Sequence, residues 1–389
     1  GGCMRKVAVI GIGQTKIDEH WDKSLRELAG DAILSAMQDA EITHIDALFV
    51  GNMLSGSANK QQHLGAYIGD WIGERGRSSI RLESACSSGA SAFRAALFAV
   101  ASGETDLAIA VGVEKMTDSP SSEITSALAT AADSDWEAEM GVSFVGLNAL
   151  IMQRYLHEYG WKREDFGNFS INAHQNALNN TFARFHMPIT QAQFNQSGII
   201  CDPITLLDAS PIGDGAAAIV LAPDEFARSK DAAQSIRVAG SGAASDTIAI
   251  HSRKDPLWLK AAELSSLEAY SQAGISPNDV DLFEYHDAFT IMAALSLEAS
   301  GFAERGQGPR LALENEIGLK GRIPVATLGG LKARGHPVGA TGIYQLVEVV
   351  RQLRGQAGGS QVEGARWGMA QNIGGSGSNI ITHILTNAG

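Results

Sequence analysis

The chain repeats itself, and that repetition limits its possible folds more than any other feature. An apolar strand at 7–10 runs into Gly11-Ile12-Gly13, and residues 236–242, Ile236-Arg237-Val238-Ala239-Gly240-Ser241-Gly242, copy it. A helix-period stretch follows in each case. The first, 24–40, sets Leu25, Leu28, Ala32, Ala36 and Ala40 on one face behind a Ser24/Glu27 capping box. The second, 256–274, ends in Gly274-Ile275 much as the first ends in Glu41-Ile42. Asp281-Leu282-Phe283 then echoes Asp46-Ala47-Leu48-Phe49, and 367–372 matches the apolar run at 107–112. Between these, Cys86-Ser87-Ser88-Gly89-Ala90-Ser91 aligns with His336-Pro337-Val338-Gly339-Ala340-Thr341, each expected to open a helix. Five elements recur in one order at offsets drifting from about 229 to about 260, so the chain is a duplication.

Alternating strands and helices place both copies in the α/β class. The continuous apolar stretch 107–113 reads as a strand covered on both faces, and 214–221 supplies the last strand of the first half. Residues from 117 to about 199, rich in Ser, Ala, Asn and Gln, have no counterpart, and about eighty residues are too many for a plain loop. They are expected to form an inserted subdomain capping the site, with helices at 144–159 and 165–179. The expected division is 4–118 with 198–235, an insert at 119–197, and a second half at 236–389. Gly1-Gly2-Cys3 ahead of Met4 reads as added residues.

Composition narrows the functions. At 389 residues with 44% apolar and 19% charged side chains, the chain can bury a large core. A formal charge of −13 with no basic run argues against nucleic acid. No apolar run is long enough for a bilayer span, and no signal-peptide pattern opens the chain, so no membrane association and a cytoplasmic location are expected. Three cysteines without a CxxC pair suggest neither a disulfide framework nor a metal site. The Gly-x-Gly at 11–13 lacks the third glycine of a dinucleotide fingerprint, which excludes NAD binding.

The repeat also locates chemistry. A cysteine at a helix mouth meets orphan amides and the positive helix end, which favour its thiolate; taken alone, Cys86 reads first as a small buried hydrophobe. Pseudo-symmetry puts His336 at the matching mouth, so the two turns face a shared crevice and the pair can act as nucleophile and base. Gly335 and Pro337 hold His336 in an extended, uncrowded loop, an unusual place for a core histidine. His286, in Glu284-Tyr285-His286-Asp287-Ala288-Phe289, sits past a strand end, where a neutral imidazole suits a developing oxyanion; a structural pairing with Asp287 reads equally well. The loop Asn372-Ile373-Gly374-Gly375-Ser376-Gly377 offers amides for an oxyanion hole or is a plain turn.

Together, Ser84-Ala85-Cys86-Ser87-Ser88-Gly89, His286-Asp287-Ala288-Phe289 and the run from Gly329 to Gly342, Gly-Gly-Leu-Lys-Ala-Arg-Gly-His-Pro-Val-Gly-Ala-Thr-Gly, resemble the thiolase superfamily over essentially the whole chain. The His-Asp-Ala-Phe block is similar to the branch holding archaeal acetyl-CoA acetyltransferases and sterol-carrier-protein-type thiolases. The resemblance implies duplicated βαβαβαββ halves forming a five-layered αβαβα core with an inserted loop subdomain. It implies an acyltransferase of lipid metabolism with acyl-CoA and CoA as substrates, no permanent cofactor and no metal. Cys86 would carry the acyl group, His336 would deprotonate Cys86 and the incoming CoA thiol, and His286 with His336 would hold the enolate oxygen. The amides of Cys86 and Gly374 would hold the tetrahedral oxyanion. Asn372, a possible lining residue, stands where ordinary thiolases carry a second cysteine, and Ala288 where the sterol-carrier branch does. Two alternatives follow: a Claisen-type synthase or acyltransferase using a non-CoA acceptor, and a scaffold subunit needing an OB-fold (DUF35-type) partner. A homodimer or tetramer is expected, with a buried edge strand near Leu107 suiting a dimer.

Overall fold

The computed structural model describes residues 4–228 and 234–388; Cys3 lies outside them. The first half contains β1 (Val7–Gln14), α1 (Leu25–Asp39), β2 (Ala47–Gly51), β3 (Ser78–Leu82), α2 (Ser88–Ser102), β4 (Ala108–Glu114) and, after helices α3 (Phe144–Tyr159) and α4 (Gly167–Ala177), β5 (Gly215–Pro223). The second half contains β6 (Ile236–Ser245), α5 (Lys260–Ala273), β7 (Leu282–Glu284), α6 (Thr290–Ala299), α7 (Thr341–Leu353), β8 (Trp367–Gly374) and β9 (Asn379–Thr386). The strand order is β3-β2-β4-β5-β1-β6-β9-β8-β7.

Each half therefore uses the same order outward from its first strand. In the second half the third strand shrinks to a single parallel bridge between Phe283 and Val325. The halves join antiparallel at two positions, Ala8 with Arg237 and Val9 with Ile236, so one ladder runs through all nine strands. Helices α2 and α7 pack against each other between the two sheet halves, while α1 and α5 cover the outer faces. This is the expected five-layer core. Helix α7 is buried almost all round, as befits a central layer.

The Gly-x-Gly repeats have a packing purpose. A Cβ on Gly11 or Gly13 would fall 2.3 Å from Ala36 O or Ala32 O of α1, and one on Gly240 or Gly242 would fall 2.3 or 2.0 Å from Ala269 O or Ser265 O of α5. Only glycine lets the outer helix lie this close to the strand, and both copies keep the device. Ser24 caps α1 with the expected box to Glu27. Helix α5 starts at Lys260, later than the 256 expected, and ends at a left-handed Gly274.

One expectation fails: the strand containing residues 108–114 lies between β2 and β5, fully buried, and is no edge. The edge of the first half is β3, whose residues remain exposed or half-buried. The unmatched segment packs on the second half. Asn172, Asn176 and Asn180, spaced four apart, donate to the carbonyls of Val325 (3.1 Å), Ala326 (3.0 Å) and Leu328 (2.9 Å) on the chain leading to His336.

Candidate active site

Strand β3 delivers Cys86 through a turn that serines stitch together. Ser84 N donates to Ser88 Oγ (3.0 Å), Ser87 Oγ to Ser84 O (2.6 Å) and Ser88 Oγ to Ala85 O (2.5 Å). Ala85 is held at φ 55°, a left-handed position that disfavours a side chain, and its N–H is fixed by the Glu83 carboxylate. The turn thus aims Cys86 into the cleft just before α2 opens at Ser88. At the other mouth, Gly335 (φ 115°) brings the chain against Ile17, and His336 N donates to Pro211 O (3.2 Å). A short 3-10 turn, Val338–Ala340, then precedes α7, so this helix begins five residues after His336 rather than two.

Asn372, at the end of β8, ties the mouths together. Its Nδ2 donates to Cys86 O (3.0 Å) and to His286 Nδ1 (3.1 Å), and its Oδ1 accepts from Ala90 N (3.4 Å). The side chain is buried against Gly342 of α7, where any Cβ would fall 2.2 Å from Asn372 Oδ1. The His286 and His336 rings meet edge to face, 5.1 Å between centroids. The structure thus gathers Cys86, His286, His336 and Asn372 in one place.

Hydrogen bonds orient both imidazoles, and one of them fixes the proton of His286. Ile373 N–H, which can only donate, points at His286 Nδ1 (3.3 Å), so that nitrogen accepts and Nε2 carries the proton. For His336, Thr341 Oγ1 lies 2.6 Å from Nδ1 and donates to Pro337 O (3.5 Å). In the tautomer whose Nδ1–H donates to Thr341, the hydroxyl proton turns to Pro337 O and Nε2 carries a free lone pair. His286 thus presents an N–H, and His336, in that tautomer, a lone pair.

Burial, with the Arg334 guanidinium adding to it, holds His336 down to about 3. Burial, then His336 and Arg334, hold His286 well below the ordinary range. Both are neutral at pH 7. Arg334 itself is fully buried against Glu348 (2.8 Å).

Cys86 departs from expectation. The residue is partly exposed, but its thiol is pushed up to about 12, first by desolvation and then by the Glu114 carboxylate. These outweigh the helix mouth, so the resting sulfur is a thiol. The amides that bond the sulfur are those of Gly375 and of Cys86 itself. Gly375 sits at φ 59°, next to the expected Gly374, which is buried with Ser84 O and Ser87 Oγ against its Cα. Ala288 is half-buried, its carbonyl accepting from Ser210 N.

Sequence reading missed three participants. Thr341 lies inside the quoted motif without a role assigned, and the Gly375 amide was passed over for its neighbour. Glu114 carried a signal: it is a charged residue closing an otherwise apolar strand, at a carboxyl end where α/β sheets place their sites. Among the described residues no helix is long and apolar enough to cross a membrane.

Comparison with known proteins agrees with this geometry. The chain is 46% identical to an acetyl-CoA acetyltransferase of Methanothermobacter thermautotrophicus over 98% of its length and all of the relative's. It is 34% identical to the benzoylsuccinyl-CoA thiolase subunit BbsB of Thauera aromatica, with 92% of each chain covered. Among solved structures, an Ltp2-ChsH2(DUF35) aldolase superposes with a TM-score of 0.86 at 23% identity, covering 99% of this chain and 98% of that one. Human mitochondrial 3-ketoacyl-CoA thiolase in complex with CoA superposes at 0.77 and 16% identity, covering 99% and 98%. Residues 7–225 match the thiolase N-terminal domain and residues 242–387 the thiolase C-terminal domain-like family, so the chain belongs to the thiolase family of acyltransferases.

Proposed function

We propose that the protein is an acetyl-CoA C-acyltransferase that cleaves or forms 3-oxoacyl-CoA through an acyl group on Cys86. His336 Nε2 takes the Cys86 proton as sulfur attacks the 3-carbonyl. A thiol near 12 beside an imidazole near 3 favours transfer in concert with attack over a preformed ion pair. The amides of Cys86 and Gly374, with Gly375 beside them, receive the tetrahedral oxyanion. The C2–C3 bond then breaks, its electron pair forming the enolate of acetyl-CoA and leaving the acyl group on sulfur. His286 Nε2–H and His336 hold the enolate oxygen, and the proton first taken from Cys86 passes from His336 to C2. CoA repeats the sequence: His336 accepts the proton of the CoA thiol, the CoA sulfur attacks the acyl carbon, and the Cys86 sulfur leaves and takes that proton back, releasing acyl-CoA. Synthesis is the reverse.

The observation that carries this reading is the Ile373 N–H bond to His286, which leaves an N–H rather than a lone pair facing His336 and the cleft. Intact-mass analysis after acetyl-CoA should show a +42 Da adduct, absent in Cys86→Ala, and acetoacetyl-CoA with CoA should yield acetyl-CoA. Absence of any adduct defeats the acyl-enzyme reading.

A second reading has its own observation. Asn372 has its amide committed to three bonds, so no acid stands where an ordinary thiolase has one, which favours transfer to a non-CoA acceptor. The aldolase that resembles this chain is solved with a DUF35 protein, which supports an OB-fold partner or scaffold role here. We further infer a cytoplasmic homodimer or tetramer in lipid metabolism, using CoA only as substrate, divided at the boundaries given above with residues 119–197 as the insert.

A further inference from the structure

Glu114 is fully buried, and nothing in the proposed chemistry uses it. Its carboxylate accepts four hydrogen bonds from two places remote in sequence. Oε1 takes Asn52 Nδ2 (2.7 Å) and Leu54 N (3.0 Å); Oε2 takes Met53 N (2.8 Å) and Gly339 N (2.8 Å). The first three donors belong to the loop after β2. The fourth belongs to the turn carrying His336, three residues away. Gly339 fits only as glycine, since a Cβ would lie 2.5 Å from Oε2 and 2.7 Å from Met53 N. Arg81 grips the same loop from the other side, donating to Asn52 O (3.2 Å) and Met53 O (3.1 Å). Cys86 packs in the apolar cluster these segments enclose, with Leu54, Met116 and Val338.

We propose that Glu114 is a positioning residue that clasps the His336 turn to the Cys86 half and places its carboxylate on the segments that enclose the thiol. The proposal rests on the acyl-Cys86 reading, and it predicts two effects of opposite sign. Removing the charge frees the thiol to ionise; loosening the clasp misaligns the base. A residue that merely supported the fold would weaken both reactions together.

The charged neighbours are few. Glu83 also raises the thiol and remains in the variants below. The two imidazoles are neutral, Arg334 is paired with Glu348, and Lys115 beside Glu114 is bound to Asp118 (2.8 Å) and Asp214 (3.0 Å). Arg81 is the cation that acts on Glu114, whose own ionisation burial pushes up to about 7.

The test compares iodoacetamide alkylation of Cys86 with its acylation by acetyl-CoA. In Glu114→Gln, alkylation at pH 8 should rise about 10-fold, a one-unit fall in thiol pKa, while acylation falls by at least about 10-fold. Asn52→Ala keeps the charge and three donors, and its alkylation should stay within about 2-fold of wild type. Slower or unchanged alkylation in Glu114→Gln, or an equal rise in Asn52→Ala, overturns the proposal. Should Glu114→Gln fail to fold, wild-type protein decides: log alkylation rate against pH should show reduced slope near pH 7, where Glu114 ionises, and a straight unit slope from pH 6 to 9 refutes the charge effect. Alkylation needs no CoA, so an enzyme that never forms an acyl adduct can still pass or fail this test.

Discussion

The two helix mouths descend from one repeat yet hold their functional side chains by different means. Cys86 sits in a serine-stitched turn with a left-handed Ala85, two residues before its helix, and its sulfur faces amides. His336 sits in a glycine-relaxed turn five residues before its helix, and its ring is oriented by one hydroxyl, Thr341. The short turn presents backbone amides along with the thiol. The longer one swings a ring into the same cleft and leaves its free nitrogen unencumbered. Duplication thus supplied two equivalent crevice positions, and local turn length decides what each presents: a thiol beside amides at one, an imidazole at the other.

The sharpest way to break this comparison is to remove the base. His336→Ala should slow acylation of Cys86 by about 10²- to 10⁴-fold, and deacylation by CoA equally, because one ring serves both thiols. Rapid-quench mass analysis reads both steps, and a near-normal rate in either would detach His336 from Cys86. His286→Ala should divide the half-reactions instead. Loss of an N–H aimed at the enolate oxygen costs about 10²- to 10³-fold in C–C cleavage and much less in loading from acetyl-CoA. Equal losses would make His286 a structural ring.

Acid lability offers a readout independent of turnover. A histidine held neutral in the fold binds its proton more readily once unfolded, so stability is lost as pH falls below about 6.5 towards the folded-state value. His336, near 3, and His286, well below the ordinary range, both behave this way. The melting temperature of wild type should therefore fall between pH 6.5 and 4 more steeply than that of His336→Ala or His286→Ala. Parallel curves would mean that these rings are not neutral in the fold.

The fold was legible because its constraints are local and repeated. Gly-x-Gly beside a helix face, the capping box at Ser24 and the matched strands each announce themselves within a few residues. That Cys86, His286 and His336 come together is legible for the same reason, since pseudo-symmetry and strand ends mark their positions. What escaped was set by contacts between distant segments. The proton on His286 depends on Ile373, 87 residues away, and the clasp on Gly339 depends on Glu114, 225 residues away. The raised thiol likewise reflects desolvation and the Glu114 carboxylate, which no helix-mouth argument contains. The asparagine-rich insert reads as merely polar, yet Asn172, Asn176 and Asn180 satisfy the backbone carbonyls of Val325, Ala326 and Leu328.

Asn372 is where the two mouths touch, and it gives the finest test. From sequence its position invites replacement by cysteine, to restore the acid of ordinary thiolases. The structure argues otherwise. The amide is turned onto Cys86 O, Ala90 N and His286 Nδ1, and a thiol reproduces none of these bonds at comparable strength. Asn372→Cys should therefore cost about 1–3 kcal/mol of stability, the range for leaving a buried polar group unpaired. The Ile373 amide still holds His286 Nδ1, so the ring keeps its tautomer and acyl loading should change by less than about 10-fold. Acetoacetyl-CoA cleavage should not rise, because the new sulfur would point into the contact between α2 and α7 rather than towards the substrate. A gain in cleavage would mean that this side chain turns into the cleft during turnover, and that the strut joining the mouths is a movable part of the catalytic cycle.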